Sequence, residues 1–171
     1  MRTVVAEPLT GEAFAPFGQV VAVKNSGGQA ANQGNATRFD FAANLENGRA
    51  HARPNLCAFE ATPQALPLTV KLLERHPHSS QAFLPMVVQE YLVCVAPNAE
   101  DGGPDLSGLR AFVAKAGQGV NYNKAQWHHP IVALGAPATF TMLAWEDGTR
   151  GDCEERQVNE VIQVVRAASG R

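Results

Sequence analysis

A chain of 171 residues, 45% of them apolar and 18% charged, is long enough to bury a core without disulfides or structural metal, and its composition excludes an intrinsically disordered protein. A formal net charge of -2 with scattered basic residues excludes a polyanion binder, so neither nucleic acid nor a membrane surface is expected as a partner. No apolar run approaches the roughly 18 residues needed to span a bilayer, and a single domain over residues 1–171 is expected.

At the N-terminus, Glu7, Pro8 and Gly11 interrupt any apolar core behind Arg2, so no secretory signal is legible. The three cysteines, Cys57, Cys94 and Cys153, are odd in number and far apart. That argues against a disulfide framework or a CxxC site, and the chain is expected to be cytoplasmic, with Cys57 and Cys94 as buried inert thiols.

Thr10 is placed to cap a short turn through Phe14. The stretch 25–35, rich in Gly, Ser, Gln, Asn and Ala, reads as a mobile loop and a candidate substrate lid. Fifteen glycines and eleven prolines separate short runs rich in Val, Leu and Phe, an all-β signature. Strands are predicted at 20–23, 38–41, 55–60, 68–73, 90–96, 109–114, 131–134 and 138–145, with a hairpin-like connection over 99–108. The segment 159–165 fits either a strand or a terminal helix, and the tail after Arg166 is expected to fray. Eight short strands with few short helices suit a barrel or jelly roll.

Two polar clusters interrupt this pattern. The first, Glu74 to Gln81, follows the run 68–73; in an extended backbone Glu74, His76 and His78 share one face and could converge in a barrel, or the histidines could sit in a surface turn beside Pro77. The second opens with Gly117 and Gly119 and closes with His128 and His129. Adjacent strand residues face opposite ways, so only one of these two histidines can join an interior site. Arg38, beside Asp40, is a candidate carboxylate clamp or simply a solvated ion pair.

The stretch LPLTVKLLERHPHSSQAFLPM at 66–86 closely resembles the signature of ureidoglycolate lyases, and PDLSGLRAFVAKAGQGVNYNKAQWHHP at 104–130 is similar to further elements of that family in the same order. The segment 8–21, containing EAFAPFG, also resembles the family's opening strand and turn. The resemblance implies a cupin-like double-stranded β-helix barrel, commonly a homodimer, that cleaves ureidoglycolate to glyoxylate and urea in allantoin and purine breakdown. It also permits a divalent metal such as nickel.

Matched by spacing to the general cupin motifs, Glu74 takes the place of the first histidine, His76 the second, Gln81 the usual glutamate and His128 the histidine of the second motif. These four form the candidate metal set; imidazole and carboxylate suit several first-row ions. For the lyase reaction, Glu74 or His76 is the candidate base and His128 the acid. Arg38 is expected on the substrate carboxylate, and Asn32, Tyr122 and Gln81 on the rest of that small molecule. Rival readings are an amidohydrolase releasing ammonia, a cupin isomerase or dioxygenase, and a non-catalytic module binding a small carboxylate.

Overall fold

In the computed structural model, residues 1–24 and 27–167 are described. Asn25 and Ser26 of the expected mobile loop, and most of the expected frayed tail, lie outside them. Strands β1 (Arg2–Pro8), β2 (Gly18–Val21), β3 (Gln29–Ala31), β4 (Ala36–Arg38) and β5 (Arg53–Ala61) occupy the first third of the chain, with one helical turn, α1 (Gly11–Phe14). Then come β6 (Pro63–Gln64), β7 (Leu68–Arg75), β8 (Gln81–Val87), β9 (Glu90–Ala96) and β10 (Arg110–Lys115). The last are β11 (Gly119–Tyr122), β12 (Trp127–His128), β13 (Val132–Leu134), β14 (Ala138–Glu146) and β15 (Glu154–Arg166).

They form an eight-stranded sheet in the order β10-β1-β15-β7-β12-β9-β13-β6 and a five-stranded sheet in the order β2-β11-β8-β14-β5, with β3 and β4 as a separate ribbon. Because β10 also pairs with β9, the strands β9, β10, β1, β15, β7 and β12 close into a ring. A closed ring removes exposed strand edges. The whole is the cupin-like, all-β barrel expected.

Two cores explain the apolar pattern. Between the sheets pack Phe14, Phe83, Tyr91, Val93, Phe112, Tyr122 and Phe140; a second cluster holds Leu73, Leu92, Cys94, Trp127, Ile162 and Val164. Strand β9 contributes Tyr91, Val93 and Val95 to one and Leu92, Cys94 and Ala96 to the other, so both of its faces are buried and its sequence shows no polar alternation. Strand β14 lies on only one core: Phe140, Met142 and Ala144 are buried while Thr139, Thr141 and Leu143 are half-exposed. Thr10 caps α1 by accepting a hydrogen bond from the Ala13 amide at 3.1 Å, and β9 and β10 pair antiparallel across 99–108 as expected.

The strand inventory is larger than the eight predicted, for physical reasons. Strand β8 carries Pro85, β11 and β12 bury polar Asn121 and His128, and β15 is largely charged along its first half. The segment 159–165 is strand, the final stretch of β15. The predicted strand 38–41 is corrected: β4 ends at Arg38, and Phe41 adopts a left-handed φ of 52° with its ring in solvent. Cys94 is buried, which pushes its thiol up to about 12, whereas Cys57 is only half-buried, on the one-sided strand β5. All three cysteines are free.

Candidate active site

Strands β7 and β12 are antiparallel neighbours, and their register sets His128 opposite Glu74. His76 lies just past the end of β7, where its backbone carbonyl accepts hydrogen bonds from the amides of Ser79 and Ala125, tying the turn to the approach to β12. A ligand atom from each of Glu74, His76 and His128 lies within 4.8 Å of the others. The two imidazoles stack with ring centroids 5.7 Å apart, and the ring of Tyr122 lies on His128 at 4.0 Å and 8°. Stacking on Tyr122 fixes the plane of the His128 ring, against which the His76 ring lies in turn.

The protons on those rings follow from their partners. His76 Nδ1 lies 2.8 Å from the carbonyl oxygen of Asp152, and His128 Nδ1 lies 2.9 Å from that of Gln126. A carbonyl only accepts, so each Nδ1 carries the hydrogen and each neutral ring offers a lone pair at Nε2. Both Nε2 atoms are buried without a hydrogen-bond partner, as is Oε1 of Gln81. His128 Nε2 stands 3.4 Å from Glu74 Oε1, an ion-pair approach too long for a good hydrogen bond.

Two unpartnered imidazole nitrogens, a carboxylate and an amide oxygen gathered in this way can be satisfied by a cation between them. Burial raises the Glu74 carboxyl, but His128 beside it, with the charges of His76 and His129, outweighs burial and holds it below the ordinary range. Burial likewise lowers the pKa of His76, with a further push from His128, keeping its ring neutral and able to ligate. Two imidazoles, a carboxylate and an amide oxygen are a donor set that fits a divalent first-row metal.

The cluster opens into a cavity of about 420 Å³ lined by Glu74, His76 and Gln81 on one side and by Phe59, Phe83, Ile131 and Met142 around it. Gln81 is placed by its register with Tyr122 and Ala144. Glu74 and Glu146 bring carboxylates to this cavity, which Glu60 also lines from β5, and no lysine or arginine is among its described lining residues.

Several expected site residues lie elsewhere. Arg38 is exposed on the β3–β4 ribbon and ion-pairs with Asp40 at 2.5 Å, so the cavity has no arginine clamp. Asn32 is exposed in a tight turn at φ 52°. Tyr122 is wholly buried in the inter-sheet core and touches the site only through the ring of His128, so it serves as packing and not as a substrate contact. His78 is exposed because the chain turns at Pro77, which breaks the alternation that would have aligned it with His76. His129 faces away beside Pro130, as adjacent strand residues must.

The family model described as Ureidoglycolate lyase matches residues 1–165. The chain belongs to the ureidoglycolate lyase family. It is 38% identical over 168 residues to a ureidoglycolate lyase of Pseudomonas fluorescens (strain Pf-5), covering 98% of each chain. To one of Burkholderia cepacia it is 43% identical over 150 residues, covering 87% of this chain and 82% of the relative. Among solved structures, a dTDP sugar isomerase from Desulfovibrio desulfuricans G20 superposes with a TM-score of 0.51 at 17% identity, covering 81% and 83% of the two chains, a likeness of fold alone.

Two features of this ureidoglycolate lyase family member escaped the sequence reading. Arg49 ion-pairs with Asp147 at 2.8 Å and with Asp152, and Asp152 also accepts the amides of Asp147 and Gly148. This network holds the turn whose Asp152 carbonyl orients His76. Its members are about a hundred positions apart, so nothing local could have revealed it. Glu146 did leave a signal: it ends the inward series Phe140, Met142, Ala144 of β14, placing a carboxylate where an apolar residue was due.

Proposed function

We propose that this protein is a ureidoglycolate lyase that cleaves ureidoglycolate to glyoxylate and urea in allantoin breakdown, acting in the cytoplasm. Membership of the family supports the reaction, and the three free cysteines fit a reducing compartment. The observation that carries the reading is the set of Glu74, His76 and His128, whose ligand atoms lie within 4.8 Å of one another, with Glu74 and His76 lining the cavity. Glu74, His76, His128 and Gln81 are assigned as the groups that hold a divalent ion, with nickel as the candidate from the family resemblance.

The substrate is an anion, and a carboxylate brought to about 4 Å from another costs roughly 4 kcal/mol at an effective dielectric constant of 20. With the carboxylates of Glu74 and Glu146 at the cavity and Arg38 outside it, the described lining residues offer no lysine or arginine to offset that repulsion. A divalent ion supplies that charge and eases loss of the substrate's hydroxyl proton. Phe59, Phe83, Ile131 and Met142 give the cavity an apolar wall beside the polar cluster. His76 and His128, each directing Nδ1 to a backbone carbonyl, are assigned to hold the ion, in place of the acid and base roles the sequence suggested for them; Glu74 is assigned with them as a holding group.

The family resemblance also implies a homodimer. Its apolar surface is assigned to the outer face of the five-stranded sheet, where Leu56, Leu84 and Met86 are exposed around Leu143 on three adjacent strands.

Incubation of the nickel-loaded protein with ureidoglycolate tests the reaction. Urea and glyoxylate should appear in equal amounts without ammonia. Ammonia release in place of urea would make the protein an amidohydrolase, and no consumption would make it a binding module.

A further inference from the structure

We infer that Glu146 is the proton carrier of the reaction, taking the proton from the substrate hydroxyl and delivering it to the departing ureido nitrogen. This rests on the lyase reading above and deepens it. With Glu74, His76, Gln81 and His128 engaged as holding groups, the titratable residues left on the cavity wall are Glu60 and Glu146. Glu60 is exposed and lies on the outward face of β5, one position from the half-buried Ala61 and from Phe59, whose ring packs inward on Phe83. Glu146 continues the inward face of β14 after Met142 and Ala144 and is half-buried.

Its carboxylate is positioned. Asn55 on the neighbouring strand β5 donates a hydrogen bond from Nδ2 to Glu146 Oε2 at 2.6 Å, leaving Oε1 without a protein partner. A carboxylate held through one oxygen on the wall of the cavity keeps the other oxygen for a bound molecule. Glu146 is also close enough to the histidine pair for its charge to raise the proton affinity of His76.

One carboxylate suffices for the chemistry. The hydroxyl oxygen and the ureido nitrogen are bonded to the same carbon, so a single proton needs to move only between geminal atoms. Glu146 takes the O–H proton, the oxygen's electron pair closes the C=O bond of glyoxylate, and the C–N bond breaks with its pair remaining on nitrogen. The proton then passes from Glu146 to that nitrogen, giving urea and returning the carboxylate to its starting form. No other reactant enters, and the balance explains why the cavity needs no separate acid.

Glu146→Gln keeps the shape and the Asn55 side of the contact but cannot accept the proton. Loaded with nickel, it should turn over at least 100-fold more slowly than wild type, with the Michaelis constant within about threefold, since one positioned proton transfer contributes about 10²- to 10⁴-fold. Nickel affinity by calorimetry and the melting temperature should match wild type. Glu146→Asp should retain partial turnover, Glu60→Gln should stay within about threefold of wild type, and Asn55→Ala should lose about tenfold in kcat. Turnover of Glu146→Gln within fivefold of wild type would overturn the assignment, and so would loss of nickel in step with activity, which would make Glu146 a ligand. If Glu146→Gln fails to fold, Asn55→Ala and Glu146→Asp decide, with unchanged kcat in both overturning it. A wild-type protein that releases no urea would instead sink the lyase reading itself.

Discussion

His128 and Glu74 are register partners on β12 and β7, and His128 Nε2 stands 3.4 Å from a Glu74 oxygen. A divalent cation between them would satisfy both, and His76 brings a third ligand atom, a buried unpartnered Nε2, to within 4.8 Å of the other two.

Removing one of those acceptors should therefore weaken metal binding with little loss of fold. His76→Ala and His128→Ala are each expected to raise the nickel dissociation constant by at least tenfold and to lower turnover at least 100-fold. Calorimetric titration beside a thermal melt checks this; wild-type affinity in both variants would remove the histidines from the metal site.

Arg38 is exposed and paired with Asp40, outside the cavity. Arg38→Ala is expected to leave kcat and the Michaelis constant within about twofold and stability within about 0.5 kcal/mol, as for surface ion pairs generally. A large rise in the Michaelis constant would restore Arg38 as a carboxylate clamp.

The turn behind His76 should show itself in acid. Hydrogen bonds from Thr149, then from His51, and the charge of Arg49 hold the Asp147 carboxyl well below the usual carboxylate range. Burial pushes Asp152 upward, but the Arg49 guanidinium and the Asp147 and Gly148 amides outweigh it and lower its pKa. Carboxylates depressed in the folded state add stability that is present above their unfolded value of about 3.9 and is lost as pH falls through the lower folded values. Arg49→Met should accordingly lower the melting temperature most near neutral pH, with the gap to wild type closing below about pH 3. A gap that stays constant with pH would show that Arg49 acts by packing alone.

Leu56 is 69% exposed and Met86 55% exposed on the outer face of the five-stranded sheet. If that face joins two copies, Leu56→Lys combined with Met86→Lys should convert a dimer to a monomer in analytical ultracentrifugation. A variant that sediments as wild type would place the interface elsewhere.

What the sequence made legible follows from locality. Strand β9 could be bounded to the residue because both of its faces are buried and Pro97 follows it. Glu74, His76, Gln81 and His128 were legible because each sits at a strand end inside a distinctive motif. The position of Arg38 outside the cavity was not legible, because alternation in a short ribbon carries no information about which face meets the barrel. Tyr122 was expected on the substrate, whereas β11, in register with β8, buries its ring in the core. The Arg49–Asp152 support of His76 joins residues 103 apart and is invisible before the chain folds.

The central claim is that Glu74, His76 and His128 hold a divalent ion on which cleavage of ureidoglycolate depends. The most direct test follows urea and glyoxylate from ureidoglycolate with protein stripped by chelator and then reloaded with one equivalent of nickel. The account predicts that both products vanish on stripping and return together on reloading, and that His76→Ala/His128→Ala protein shows no such recovery. Full turnover by stripped protein would contradict it.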